Sequence, residues 1–170
     1  MKNVERGFTL IELLITVLML AILVSLAAPS FNASIRDNRN LATANSLATA
    51  VAHARSEALK RGRLVSICPS SNGTSCGANW SQGWIVYVER PTVVAGGAPD
   101  IEEVLLVEAA ANSMALAQLG GNPWIRFSTR GLAEASVTVT VKPSTCNAGY
   151  HYQETVFGIS GRATLTKKTC

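Results

Sequence analysis

From Phe8 to Ala28 the chain is apolar almost without interruption, with one charged residue, Glu12, and neither glycine nor proline. A helix of about twenty such residues crosses a bilayer core of about 30 Å. Pro29 closes the run, and a different pattern follows. Ala44, Leu47, Val51, Ala54 and Ala58 recur at alternating spacings of three and four, which places them on one helix face. Lys60 and Arg61 give a basic last turn, and Gly62 a glycine stop. The pattern predicts one long helix in two parts. Residues 8–29 are apolar all round, residues 30–62 carry a narrow alanine-rich stripe, and Pro29 is the natural place for a kink.

Past Gly62 the chain changes to short β-type runs separated by turn residues. Residues 63–68, 84–89, 104–108, 125–128, 137–141, 155–159 and 163–166 read as strands. Residues 137–141 alternate valine and threonine, so one face is expected to be buried and the other wet. Residues 69–83, rich in Ser, Asn and Gly, read as a disulfide-pinned loop, and residues 91–100 as a mobile, turn-rich connection. The expected fold class is α+β, a long N-terminal helix packed on a mostly antiparallel β-sheet or sandwich.

Composition adds little to this picture. The 170 residues suffice for one globular domain beside the apolar helix. The net charge of +4 is unevenly placed. Glu89, Asp100, Glu102, Glu103 and Glu108 make residues 89–108 acidic, while Lys142, Arg162, Lys167 and Lys168 make residues 142–170 basic. A bias of this size points only weakly to an anionic partner. Cys68, Cys76, Cys146 and Cys170 lack zinc-knuckle spacing, and His53 and His151 are not placed to complete a site, so no metal is expected. An even cysteine count beyond a membrane anchor reads as disulfides. Three pairings are open; local ones, Cys68–Cys76 and Cys146–Cys170, are favoured because each falls in its own stretch of loop and strand.

No phosphate loop, zinc-protease or nucleophile-elbow motif is present, and neither catalytic residues nor a cofactor are expected. His53 reads as a packing or solvated helix residue, and His151 as a strand surface residue. Trp80, Trp84 and Trp124 read as core or loop anchors. Asn72-Gly73-Thr74 fits a glycosylation sequon, but its turn propensity explains it.

The position of Gly7 is more telling. A secretory signal peptide carries its small-residue cleavage site after the apolar region and is discarded. Here the small residue precedes the apolar run, so cleavage after Gly7 leaves the helix on the mature chain. The string Gly7-Phe8-Thr9-Leu10-Ile11-Glu12-Leu13-Leu14 resembles the class III leader of type IV pilins and type II secretion pseudopilins. That resemblance implies a leader at residues 1–7, cleaved between Gly7 and Phe8 by a prepilin peptidase, and methylation of the new Phe8 amine. It also implies that Glu12 meets the N-terminal amine of a neighbouring subunit during assembly. The residues independently favour a role for Glu12. A carboxylate at mid-bilayer costs on the order of 2.5 kcal/mol or more, and such groups usually have a partner.

A second resemblance covers most of the remainder. Residues 54–62 (Ala-Arg-Ser-Glu-Ala-Leu-Lys-Arg-Gly) lead into Cys68-Pro69-Ser70-Ser71-Asn72-Gly73-Thr74-Ser75-Cys76. Trp80, Gly83-Trp84-Ile85-Val86-Tyr87-Val88 and Ser160-Gly161-Arg162 follow. Together these are similar to the GspH/FimT/FimU group of minor pilins and pseudopilins, although residues 93–122 match nothing in it. The resemblance implies a non-enzymatic subunit with an assembly helix at residues 8–29, its continuation at 30–62 and a GspH-like β domain at 63–170. Its implied partners are other minor pilins and the major pilin (or pseudopilins), and an inner-membrane assembly platform. Its implied location is the bacterial inner membrane, with the globular domain in the periplasm, and then the filament. The expected task is to initiate or cap a type IV pilus; the alternatives are the H-type pseudopilin of type II secretion and a DNA receptor for transformation. In FimT-type pilins a Gly-Arg-x-Arg motif contacts DNA, which makes Arg162 a candidate DNA contact here, supported by Lys167 and Lys168. Thr164 stands where the second arginine belongs, and a solvated, charged edge strand is the favoured reading of this stretch.

Overall fold

The computed structural model describes residues 8–109 and 114–170, without the side chains of residues 26–30. Two compact units divide the chain, Met1–Arg36 and Asp37–Cys170. One helix, α1 (Leu10–Arg61), belongs to both and continues through Pro29, so the proline does not end it.

In the first unit α1 starts at a side-chain cap, the Thr9 hydroxyl accepting the Glu12 amide proton at 3.3 Å. Its described apolar side chains, from Leu10 to Val24, are all at least half exposed. The hydroxyls of Thr16 and Ser25 donate to the carbonyls of Leu13 and Ile22, at 2.8 and 2.7 Å. Such back-bonding satisfies polar groups within the helix itself, as an apolar environment requires. Among the described residues no helix is long and apolar enough to cross a membrane.

In the second unit the sequence stripe is the buried face of α1. Ala44, Leu47, Val51, Ala54 and Ala58 are fully buried, and Asn40 and Ala50 extend the face. The helix ends at Arg61 because Gly62 takes φ +60°, a left-handed conformation that glycine adopts without steric cost. Against this face lie two antiparallel four-stranded sheets. The first has the order β3-β2-β1-β5 and the second β4-β6-β7-β8. The strands are β1 (Val65–Pro69), β2 (Gly83–Glu89), β3 (Ile101–Ala109), β4 (Met114–Leu119), β5 (Ile125–Phe127), β6 (Val137–Pro143), β7 (His151–Phe157) and β8 (Ala163–Thr169). The chain thus enters the second sheet at β4, returns to the first for β5, and finishes in the second. One core joins Leu47 and Val51 to Ile67, Trp84, Val86, Phe127, Val139 and Phe157.

Three expectations change. β4 was not expected, since residues 109–122 carried no predicted element; Met114 and Leu116 point inward while Ala115 and Ala117 are exposed. The wet face expected of residues 137–141 is only partly wet. Val137, Val139 and Val141 are buried, but so is Thr140, whose hydroxyl donates to the Ala117 carbonyl across to β4. The connection 91–100 is tied down, as described below.

Both local disulfides are formed, Cys68–Cys76 and Cys146–Cys170, with Cα–Cα distances of 5.6 Å. The first pins the loop after β1. There the Asn72 side-chain oxygen accepts from the amides of Thr74 and Ser75, so the sequon forms a tight turn. The second ties the end of β8 to the turn before β7, where the Cys170 amide also donates to Tyr150. Closing a loop of this size typically stabilises a fold by roughly 2–4 kcal/mol.

Candidate functional site

The first candidate element is the start of α1. Gly7 lies outside the described residues, whereas Phe8 is exposed and Glu12 stands in the first helical turn. An acidic side chain there is favoured by the amide dipoles at the helix start. The Glu12 carboxylate itself has no partner among the described residues and projects from a helix whose other faces are leucine, isoleucine, valine and methionine. A lone carboxylate on an otherwise apolar helix is costly in a low-dielectric surrounding. It is therefore suited to receive a cation from another molecule.

The second element is β8, at the edge of the second sheet, with Arg162 in the turn before it. The structure engages the cations expected to assist Arg162. Lys167 Nζ pairs with the Asp37 carboxylate on α1 at 2.7 Å, and His151 Nδ1 lies 3.6 Å from the same oxygen. Lys168 Nζ pairs with Glu154 at 2.6 Å, a hydrogen bond that holds its pKa above the usual lysine range. Lys142 Nζ sits 4.5 Å from the centre of the Tyr152 ring. Arg162 is exposed with no side-chain partner among the described residues. Lys167 and Lys168 are thus already paired with carboxylates in place.

Sequence reasoning missed the most deeply buried charges. Arg126 on β5 and Glu89 on β2 are both inaccessible to solvent and pair at 2.9 Å. Arg126 Nε and Nη2 donate to the same Glu89 oxygen, Nη2 also to the Gly97 carbonyl, and Nη1 to the Val94 carbonyl and to Glu134. Glu89 also accepts from the Ser66 hydroxyl and the Asp100 amide. These bonds fasten residues 94–100 to the sheet, so the loop expected to be mobile is held at both ends and in its middle. Burial, with the nearby Glu89 charge, pushes the Tyr87 phenol well above the usual tyrosine range. Two charged residues in β-type runs gave no local sign of this pairing. The network is charged, but the Arg126 guanidinium spends all its donors inside it, which marks it as structural.

His53 is half-buried on α1, and His151 lies on β7 with its carbonyl accepting from Asn40 at 2.8 Å. Trp80 and Trp84 are core residues, Trp80 donating to the Gln118 side chain; Trp124 is half-buried beneath the Arg126 guanidinium at 5.8 Å. Among the described residues no group of three or more His, Cys, Asp and Glu side chains is placed to hold a metal ion.

A long N-terminal helix carried into two antiparallel sheets, with the free apolar end bearing one acidic residue, is the architecture of a pilin-like subunit. The chain belongs to the family described as "Type II transport protein GspH", whose model matches residues 43–158, and its start matches the "Prokaryotic N-terminal methylation motif" over residues 2–28. Solved structures of two proteins illustrate the shared fold. The type IV minor pilin FimU of Pseudomonas aeruginosa is 18% identical, with a TM-score of 0.57 over 76% of this chain and 90% of its own. The minor pseudopilin EpsH from the Type 2 Secretion System of Vibrio cholerae is 11% identical, with a TM-score of 0.53 over 75% and 96%. The family is one of structural pilins and pseudopilins, and with the methylation motif it implies membrane-anchored assembly with other such subunits.

Proposed function

We propose that this chain is a non-enzymatic minor subunit of a type IV pilus that helps to initiate or cap the filament together with other minor pilins. The observation that supports it is the first part of α1, a helix start whose described apolar side chains are exposed and whose Glu12 carboxylate has no partner among the described residues. Such a helix has no core of its own to join. Stored in the inner membrane with the second unit in the periplasm, it is positioned to move into a helical filament. There Glu12 receives the methylated Phe8 amine of a neighbour, after cleavage following Gly7. The H-type pseudopilin of type II secretion uses the same helix and is the alternative. A DNA receptor is less supported, because Lys167 and Lys168 are already paired with carboxylates and only Arg162 remains of the expected contact. Weak phosphate binding of this kind is strongly salt-dependent.

Deleting the gene and scoring piliation, protein secretion and DNA uptake side by side separates the three. Loss of piliation alone supports the proposal. Loss of secretion with intact pili moves the chain to the pseudopilus, and loss of DNA uptake with intact pili restores the receptor reading. N-terminal mass spectrometry of the membrane-extracted chain checks the processing step, with Phe8 expected as the first residue.

A further inference from the structure

Beside the end of α1, two loops enclose Arg55. Its Nε donates to the Gly131 carbonyl at 3.0 Å, and its Cδ lies 2.7 Å from where a Cβ on Gly161 would stand. Gly161 takes φ +73°, so both conformation and space demand glycine there. Gly131, at φ +71°, is also pressed, with the Leu59 side chain 3.0 Å from where its Cβ would stand. The two loops are joined by the Ala133 amide donating to the Ile159 carbonyl at 2.7 Å. This packing fixes the residues that flank the glycines, Arg130 on one loop and Arg162 on the other. Both are exposed, and neither has a side-chain partner among the described residues. Between the Arg55 helix turn and Gly161 is a surface hollow of about 340 Å³.

The same locus exposes aliphatic side chains. Leu59, Leu132 and Ile159 are 50%, 46% and 55% accessible, although they sit next to a formed core. Elsewhere in the second unit the basic residues largely meet acids, Arg61 with Glu57 and Glu103, Arg63 with Glu102, Lys167 with Asp37. Here three arginines meet none. Exposed aliphatics surrounded by arginines have the composition of a protein interface, where apolar contact supplies the centre and arginine forms directional bonds to carboxylates. Phosphate backbones make no use of the leucines and isoleucine, so a nucleic acid fits this surface less well.

We infer that Arg55, Arg130 and Arg162, with Leu59, Leu132 and Ile159, form a docking surface for a protein partner that presents carboxylates beside aliphatic side chains. The inference goes beyond the assembly role of the N-terminal helix and uses none of its residues. It gives the Gly161-Arg162 pair a task other than nucleic-acid contact.

The test uses the full chain in the cells that make it, with the photoreactive residue p-benzoylphenylalanine replacing Leu132. Irradiation should yield one cross-linked polypeptide, identified by mass spectrometry, with an aspartate or glutamate near the attachment point. Reversing both free charges, Arg130→Glu with Arg162→Glu, should cut the yield at least about tenfold through like-charge repulsion. Arg130→Lys with Arg162→Lys should retain most of it, and reversing the partner's acid to lysine should restore the cross-link to the double glutamate variant. Retention of both disulfides on non-reducing gels checks that each variant is folded. Absence of a protein cross-link, a nuclease-sensitive product, or a yield indifferent to charge reversal overturns the inference. Filament incorporation is scored in the same samples. Its loss with the cross-link intact tells against the assembly helix alone.

Discussion

The two parts of α1 obey the same helical period and opposite rules of burial. From residue 40 to residue 58 the inward face is Asn40, Ala44, Leu47, Val51, Ala54 and Ala58, every one of them covered. From Leu10 to Val24 every large apolar side chain lies open. Small residues explain the first: alanine lets a sheet approach the helix closely while adding little side-chain entropy to lose. The second cannot be explained within the molecule. Apolar surface of that extent is stable only when lipid or other protein covers it. One stretch of helix therefore completes a domain, and the other reserves its burial for an assembly.

The comparison can be broken from the side of the domain. Arg126→Ala should have the largest effect, because it leaves the Glu89 carboxylate buried and unpaired; removing one partner of such a pair costs about 3–5 kcal/mol. Urea unfolding monitored by tryptophan fluorescence should register that loss, together with earlier proteolysis of residues 91–100. A direct contrast along α1 comes next. Leu47→Ala should destabilise by about 2–5 kcal/mol as a core truncation. Leu14→Ala, at an exposed site, should stay within about 0.5 kcal/mol in the same assay and act instead on filament incorporation. Equal effects of the two on unfolding would erase the distinction.

A smaller effect sharpens the picture of the buried network. Burial first, and Glu89 second, raise the Tyr87 pKa above its ordinary value of about 10. The folded state thus holds the phenol proton more tightly than the unfolded chain does. Its contribution is complete below about pH 10 and declines as the pH rises above that point. Tyr87→Phe should flatten this alkaline decline in a series of denaturation curves, and an unchanged slope would assign the loss to other groups.

Much of this was legible in the residues. The leader pattern, the Gly62 stop and the stripe from Ala44 to Ala58 are local signals, and a 3.6-residue period survives whatever packs against it. β4 was not, since Met114-Ala115-Leu116-Ala117-Gln118-Leu119 is built of good helix formers and becomes a strand through its pairing with β6. The network around Arg126 was also hidden, because its two charges are 37 residues apart and each alone reads as a solvent-facing strand residue. The candidate DNA contact fared similarly. Lys167 is recognisable as a cation, but its partner Asp37 lies 130 positions away on another element. Charge counts cannot show which cations are already engaged.

The central claim is that the first unit of α1 is an assembly element with Glu12 as its charged contact. Its most direct test is the amount of Glu12→Ala chain found in sheared filaments, relative to the amount in the membrane. Removing the carboxylate makes the helix more apolar, so membrane insertion should be kept. Without a partner for the incoming amine, incorporation should fall far below wild type while the membrane pool is maintained or grows. Filaments that carry the variant at the wild-type ratio would contradict the account.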